Sequence, residues 1–195
     1  MGFGRTMGFA PGLGVGEGFV QEFPELPAER PVKASHDDAH YHNAAFYLTS
    51  VKLQAGHVPA HNYGCGWRFL DIPLSPGQVF NTARLYYKAA STIGVILVNL
   101  RGEANANPAT FSDLTDYYGR TRTTAGGRTA LPAVTSGTWY SVDVKDIIEE
   151  IIALAAWSKG NPIVIFFDVD TYSVRYQEYH SYDADPDDAA YLKIT

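Results

Sequence analysis

Residues 139–167 read WYSVDVKDIIEEIIALAAWSKGNPIVIFF, and the spacing of their apolar side chains changes twice along this stretch. Residues 140–144 alternate apolar and polar side chains, which is the period of a half-buried strand. Residues 147–155 place apolar side chains at intervals of three and four, which predicts a short amphipathic helix. Residues 163–167 are all apolar and have the length of a buried strand. Because such a helix cannot bury its isoleucines by itself, we expect it to lie across a sheet.

Both ends of this helix carry sequence signals. Asp143 and Asp146 are candidates for its start, where a carboxylate meets free N–H groups and the positive end of the helix dipole. Gly160 is a natural left-handed stop, and Asn161-Pro162 turns the chain toward the next strand. The stretch therefore predicts a strand, a helix and a buried strand in that order.

The rest of the chain contains short apolar or alternating runs that are typical of strands. These runs are residues 46–53, 67–72, 79–89, 93–101, 173–179 and 190–195. The run 93–101 is continuously apolar and predicts a strand buried on both faces, whereas residues 56–66 predict a loop. Residues 105–132 predict a long polar excursion. About eight strands, one helix and no repeated β-α-β order predict an all-β antiparallel sandwich of the jelly-roll type.

The composition argues against several functions. At 195 residues the chain is long enough for one domain with a hydrophobic core. Its net charge of −6 argues against non-specific nucleic-acid binding, which needs a basic surface. The single cysteine, Cys65, allows no internal disulfide. No apolar run is long enough to span a membrane. Since glycines interrupt residues 1–20, we also expect no signal peptide.

Residues 1–32 are rich in Gly, Phe and Pro and precede the predicted sandwich of residues 33–195. Glycine loses much backbone entropy when it becomes ordered, so such a segment needs extended contacts to be held in place. We predict an arm that docks on a neighbouring subunit, and the alternative is an arm that folds over its own domain. The predicted apolar anchors of this arm are Phe3, Phe9, Leu13, Phe19 and Phe23.

An ordered set of sequence blocks runs from residue 33 to the C-terminus. The blocks read SHDDAHYHN, WRFLDIPLSPGQVFNTARLYYKA, VNLRGEANANPATF, the unit quoted above, and RYQEYHSYDADPDDAAYLKI. In order and spacing they resemble a family of jelly-roll accessory domains. Such domains occur in bacterial secreted and surface proteins, often beside carbohydrate-active modules, and in phage structural proteins. The resemblance implies a β-sandwich with a binding or structural role, and it does not imply catalysis.

Two groups of residues have the chemistry of metal ligands. His40 and His42 share one face of an extended segment next to Asp37 and Asp38, and two imidazoles suit a transition metal. The alternative is a solvated strand edge, since no further ligands are evident. The second group is a loop of carboxylates, which suit calcium, although the glycine and distal glutamate of a calcium loop are missing. Its members are Asp183, Asp185, Asp187 and Asp188. The alternative for this loop is a solvated segment that keeps a sheet edge from pairing.

The third group is aromatic. Exposed tyrosines supply apolar area together with a polar hydroxyl, and the candidates for contacts with sugar rings are Tyr117, Tyr118, Tyr172 and Tyr176. Core packing is the alternative for such residues, and we expect it for Trp67, Trp139 and Trp157. No catalytic residue can be named: Cys65 has no surrounding signature of a nucleophile, and no nucleophile elbow, phosphate loop or dinucleotide fingerprint is present.

These observations predict a non-enzymatic structural protein of a virion, without a cofactor. We expect a phage capsid decoration, cement or fibre-base protein that contacts copies of itself and other virion proteins through its arm. Symmetric assembly, such as a trimer, is the expected arrangement. The alternative is a carbohydrate-binding module of a surface or adhesion machinery. The two roles are compatible, because a sandwich on a particle surface can also contact host glycans.

Overall fold

Twelve strands and two α-helices form in the part of the chain that the computed structural model describes, residues 26–195. The strands are β1 (Ala28–Pro31), β2 (Asp38–His42), β3 (Ala45–Tyr47), β4 (Lys52–Val58), β5 (His61–Phe69), β6 (Ala83–Lys88), β7 (Ile96–Gly102), β8 (Gly127–Leu131), β9 (Trp139–Asp143), β10 (Ile163–Val169), β11 (Tyr176–His180) and β12 (Tyr191–Ile194). The helices are α1 (Leu114–Gly119) and α2 (Lys145–Ile152). The predicted all-β class is confirmed, with more strands than expected and a second helix.

The strands form two antiparallel sheets. The small sheet has the order β1-β12-β6-β9, and the large sheet has the order β11-β4-β5-β10-β7-β8. Strand β2 pairs with β5 and with β3 beside this large sheet. One main core of apolar side chains, drawn from both sheets and from α2, lies between them. The protein is therefore an antiparallel β-sandwich.

Helix α2 joins β9 of the small sheet to β10 of the large sheet, as the opening stretch predicts. Its four isoleucines, at positions 147, 148, 151 and 152, are buried in the main core. Asp143 accepts a hydrogen bond from the backbone N–H of Lys145 at 2.9 Å, so that the first of the two capping candidates lies at the helix start. The helix ends at Ile152, earlier than its apolar pattern predicts, and Gly160 has the expected left-handed conformation.

Strand β10 is buried on both of its faces. Ile163, Ile165 and Phe167 belong to the main core, whereas Val164 and Phe166 belong to a second cluster on the outer face of the large sheet. The other buried members of this second cluster are Ala39, Tyr41, Phe111 and Tyr117. The outer face of the large sheet is thus covered near β10 by the segment that contains α1, which also packs against side chains of β2, a strand paired with β5 in the same sheet.

This outer cluster is fixed by one hydrogen-bonded group of side chains. The guanidinium of Arg122 lies 3.5 Å above the ring of Phe166 and donates to both oxygens of Asp168 at 2.7 and 3.0 Å. The hydroxyl of Tyr117 lies 3.0 Å from Asp168 and 3.0 Å from the carbonyl oxygen of Cys65. Arg122 and Tyr117 therefore attach the covering segment to β10 and β5.

The predicted loop at residues 56–66 is wrong, because β4 and β5 form a hairpin there. The glycines of this segment are typical of loops, but here they allow close packing within a strand. A Cβ at Gly64 would lie 2.4 Å from the ring of Tyr41, and a Cβ at Gly66 would lie 2.8 Å from Phe111. Glycine in a strand often marks such a close approach. The predicted strand 46–53 is correspondingly divided between β3 and β4.

One further prediction needs correction. The strand within residues 93–101 is not buried on both faces, because alternate residues of β7, including Asn99 and Arg101, are only partly buried. The polar excursion predicted at residues 105–132 contains α1 and β8. Arg101 of β7 donates to the carbonyl oxygens of Thr123 and Ala125 in this segment, which accounts for a charged residue in a largely apolar strand.

The sandwich also begins earlier than the predicted boundary at residue 33. Strand β1 pairs with β12, and Val32 is buried in the main core. The five predicted anchors of the arm, from Phe3 to Phe23, lie outside the described residues. Within residues 26–195, neither helix has the length and apolar character needed to cross a membrane.

The contact between α2 and β7 yields a stability prediction. A Cβ at Gly102 would lie 2.5 Å from Ile147 and 2.8 Å from Ile151. Overpacking of a core costs about 1–3 kcal/mol, so Gly102→Ala should lower the free energy of unfolding by that amount in urea titrations. Gly119→Ala is the matched control, because no atom lies within 4 Å of its added Cβ. Equal stabilities of the two variants would contradict this account of how α2 packs.

Candidate binding surfaces

The outer face of the small sheet carries three aromatic side chains in contact, Tyr86 on β6, Tyr191 on β12 and Trp139 on β9. We call this set the aromatic platform. Tyr86 and Tyr191 are directly opposite each other across paired strands, and their parallel rings are 4.7 Å apart. Trp139 lies 5.3 Å from Tyr191 at an angle of 61°. Cross-strand aromatic pairs of this kind stabilise a sheet and leave part of each ring accessible to a ligand.

Trp139 is the most exposed member of the platform. Strand β6 separates β9 from β12 in the small sheet, so the indole must extend over β6 to reach Tyr191. Its side chain is nevertheless 36% exposed. The prediction that Trp139 belongs to the core is wrong, whereas Trp67 and Trp157 are buried as expected.

Rows of paired charges border the platform. Lys193 on β12 contacts Glu29 on β1 at 2.7 Å. Directly opposite Lys193, Arg84 on β6 donates to the hydroxyl of Ser141 at 3.0 Å and lies 4.0 Å from the carboxylate of Asp143. These groups are exposed or half-buried, and they offer donors and acceptors of hydrogen bonds beside the aromatic rings.

A third pair lies next to Trp139. Strand register places Lys88 opposite Trp139. The ammonium of Lys88 contacts the carboxylate of Asp188 at 2.5 Å. Every cation named at the border, Arg84, Lys88 and Lys193, therefore has a carboxylate partner. The surface combines apolar rings with balanced charge.

The sequence contains a signal for this surface, and the choice of the four candidate tyrosines did not take it into account. Each platform residue occupies the polar register of an alternating strand. Trp139 alternates with the inward Tyr140, and Tyr86 lies between the inward Leu85 and Tyr87. An aromatic residue in the outward register is exposed in a sandwich, and aromatic residues on two adjacent strands then form a surface.

The four predicted sugar-contacting tyrosines do not form one surface. Tyr117 is completely buried in the second cluster, so that it cannot contact a glycan at the surface. Tyr118 is 57% exposed on α1 and lies 5.2 Å from the ring of Tyr41. Tyr172 is 71% exposed, with the guanidinium of Arg128 at 4.1 Å from its ring. Tyr176 is half-buried and stacks on Tyr63 at 4.4 Å.

The acidic loop near the C-terminus does not converge on one point. Asp183 accepts a hydrogen bond from the hydroxyl of Ser35 at 2.7 Å. Asp185 accepts one from the backbone N–H of Asp187 at 3.0 Å, and Asp188 pairs with Lys88. Within residues 26–195, no group of three or more His, Cys, Asp or Glu side chains is arranged to hold a metal ion. The carboxylates serve local turns and ion pairs.

His40 and His42, the first candidates for metal ligands, also do not form one site. His40 and His42 lie opposite Cys65 and Tyr63 on β5, but their rings have different neighbours. His40 is buried and stacks on Tyr47 at 4.6 Å. Burial, with a contribution from His42, lowers the pKa of His40 to about 4. Asp37 forms an ion pair with Arg68 at 2.7 Å.

A cleft of about 730 Å³ lies on the other side of the molecule, between the α1 segment and the chain that follows α2. Two carboxylates line it, those of Glu103 and Asp116, and Arg120 donates to both at 2.8 and 2.7 Å. The remaining donors of Arg120 reach the carbonyl oxygens of Ala109 and Thr110. All polar groups of this guanidinium are thus committed to holding the loop, which is a structural role.

Cys65 is completely buried, and burial raises the pKa of its thiol well above the ordinary value. The neighbouring carboxylates of Asp168 and Asp38 contribute to the same shift. Since the thiolate is the nucleophile of cysteine enzymes, the environment of Cys65 disfavours that chemistry.

No protein-family model matches the chain, and no curated protein sequence matches it significantly.

Asp38 yields a prediction about pH. Burial, opposed by the backbone N–H of Tyr182 and reinforced by the carboxylates of Asp183 and Asp37, raises the pKa of Asp38 to about 8. An unfolded Asp ionises near pH 4, so the folded state holds a proton that the unfolded state releases. The stabilising contribution of Asp38 is complete below about pH 4 and is lost as the pH rises toward 8.

Asp38→Asn keeps the shape of the side chain and an acceptor for Tyr182, but it does not ionise. Urea unfolding at pH 6.5 and pH 8.5 should therefore show a larger loss of stability for the natural protein than for this variant. The same change in both proteins would mean that Asp38 is ionised throughout this range in the folded state.

Proposed function

We propose that the protein is a non-enzymatic carbohydrate-binding module whose binding surface is the aromatic platform. The observation that carries this proposal is the contact between Trp139, Tyr191 and Tyr86 on an outer sheet face. Aromatic rings offer apolar area for the C–H faces of sugars, and the bordering polar groups suit sugar hydroxyls. A sheet face is open at both ends, which fits a polymer better than a small enclosed ligand.

The charges at the border favour a neutral polysaccharide. Lys193, Arg84 and Lys88 each have a carboxylate partner. An anionic sugar would have to displace Glu29, Asp143 or Asp188 and would be repelled by them, whereas hydroxyl groups can bond to both partners of an ion pair. We therefore assign neutral glycans to this surface.

Affinity electrophoresis in gels that contain neutral soluble polysaccharides, such as glucomannan and xylan, tests the proposal. Trp139→Ala should weaken retention by about thirtyfold, since truncation of an aromatic anchor costs about 2 kcal/mol or more. Tyr172→Ala is the matched control, because it removes a more exposed tyrosine outside the platform. Lack of retention of the natural protein on every polysaccharide would overturn the function, and normal retention of Trp139→Ala would overturn the site.

A second function is assembly into a particle through residues 1–25. The described chain begins beside an apolar surface, where Leu26, Pro27, Val79 and Phe80 line a cavity of about 340 Å³. Val79 is 87% exposed, and exposed apolar surface next to a Gly-rich and Phe-rich segment favours contacts between subunits. The resemblance to domains of phage structural proteins leads us to propose a virion as this particle, with decoration, cement or fibre-base roles.

Deletion of residues 1–25 tests the assembly role, because β1 and the whole sandwich remain. Light scattering after size-exclusion chromatography should show an oligomer for the full chain and a folded monomer for the truncated chain. Phe19→Ser combined with Phe23→Ser should have the same effect without shortening the chain. Full-length and truncated proteins of equal oligomeric state would contradict the role of the arm, and the carbohydrate-binding proposal would be unaffected.

A further inference from the structure

Five of the six histidines lie between residues 36 and 61, and two of them meet at one corner of the large sheet. His42 is the last residue of β2, and His61 is the first residue of β5. The Nε2 atom of His42 lies 2.7 Å from the Nδ1 atom of His61. The pair joins two turns that are 19 residues apart in the sequence.

The aromatic ring of Tyr63 lies beside both imidazoles. The ring of Tyr63 stacks on His42 at 4.5 Å and is nearly parallel to it. Tyr63 is itself buried between His42 and Tyr176. The imidazole of His61 lies 6.4 Å from the same tyrosine ring. The two imidazoles therefore have a rigid aromatic support on one side.

Asn43 ties the two turns together. It has a left-handed backbone conformation, with φ of 52°. Its backbone N–H donates to the carbonyl oxygen of Asn62 at 2.9 Å, and its side-chain oxygen accepts from the N–H of Asn62 at 2.9 Å. Its amide also donates to the carbonyl oxygen of Ala60. The separation of His42 and His61 is thus set by the backbone rather than by the two side chains.

The surroundings of this pair are suited to a cation. His42 is partly exposed and His61 is exposed, so water can complete a coordination sphere. Within residues 26–195, no Lys or Arg forms an ion pair or hydrogen bond with either imidazole. Imidazole nitrogen is a preferred ligand of Zn²⁺, Cu²⁺ and Ni²⁺.

We propose that His42 and His61 form a binding site for a first-row divalent cation such as Zn²⁺. Two nitrogens bound to one tetrahedral Zn²⁺ are roughly 3.3 Å apart, given Zn–N bonds of about 2.0–2.1 Å. Small rotations of the two rings would replace by coordination both the hydrogen bond of 2.7 Å and the contact of 3.4 Å between the Asn43 amide nitrogen and Nδ1 of His61. This site does not involve the platform or residues 1–25, and it is independent of both functions proposed above.

Two other histidines of this region, His40 and His57, are excluded by their contacts. His40 is buried against Tyr47. His57 lies opposite Asn62 on β5, and its Nδ1 atom is 2.9 Å from the side-chain oxygen of Asn62. Since the paired residues 57 and 62 alternate with the pair 58 and 61, His57 points to the opposite face from His61. His57 is therefore a matched control on the same hairpin.

Isothermal titration of the full chain, prepared without a histidine tag, with ZnCl₂ tests this site. The natural protein should bind one Zn²⁺ per chain, and His42→Ala and His61→Ala should each weaken binding by roughly tenfold or more. His57→Ala should bind as the natural protein does. Circular dichroism checks that each variant is folded. If His42→Ala does not fold, His61→Ala alone tests the site, because His61 is exposed and its replacement should not disturb the fold.

Three results would overturn the proposal. The first is no binding by the natural protein up to about 1 mM Zn²⁺, which corresponds to about 4 kcal/mol of binding free energy. The second is binding that neither His42→Ala nor His61→Ala weakens. The third is one Zn²⁺ per two chains, since that ratio would place the cation between two copies and not within one.

Discussion

The burial of strand β10 on both faces is the constraint on which the rest of the structure depends. Ile165 and Phe167 pack toward the small sheet, whereas Phe166 packs under Tyr117 and Arg122 on the opposite side. The long segment between β7 and β8 covers this outer face and packs against Tyr41 of β2. The protein thus has a three-layered centre, in which the large sheet has little free surface near β10.

This constraint decides where a ligand can bind. Because the outer face of the large sheet is occupied around β10, the outer face of the small sheet is a broad sheet surface that stays open. Tyr86, Tyr191 and Trp139 lie on it with their paired charges. Tyr117, which a sequence argument selects as a sugar contact, is instead used to hold the covering segment in place. Its neighbour Tyr118 is exposed, but it is separated from the platform by the sandwich.

Local patterns in the sequence were sufficient to predict the unit β9-α2-β10 and the all-β class, because periodicity and capping act over a few residues. They failed where distant residues decide the local structure. Gly64 and Gly66 read as a loop, since nothing nearby indicates that Tyr41 and Phe111 pack onto them. Core packing is the general expectation for Trp139, since half of the aromatic side chains in a sandwich point inward, although its register with Ser141 and Asp143 indicates the outer face. The charge pairs of Lys193 and Lys88 join residues more than 90 positions apart and could not be predicted.

We propose the outer face of the small sheet as the binding surface, and nuclear magnetic resonance tests this proposal most directly. Trp139 is the one exposed tryptophan of the three, so its indole N–H reports on the platform separately from Trp67 and Trp157. Titration with a neutral oligosaccharide should shift the indole signal of Trp139 and the amide signals of β6 and β12. Shifts confined to Tyr118, Tyr172 or the cleft around Arg120, with the signal of Trp139 unchanged, would contradict the account.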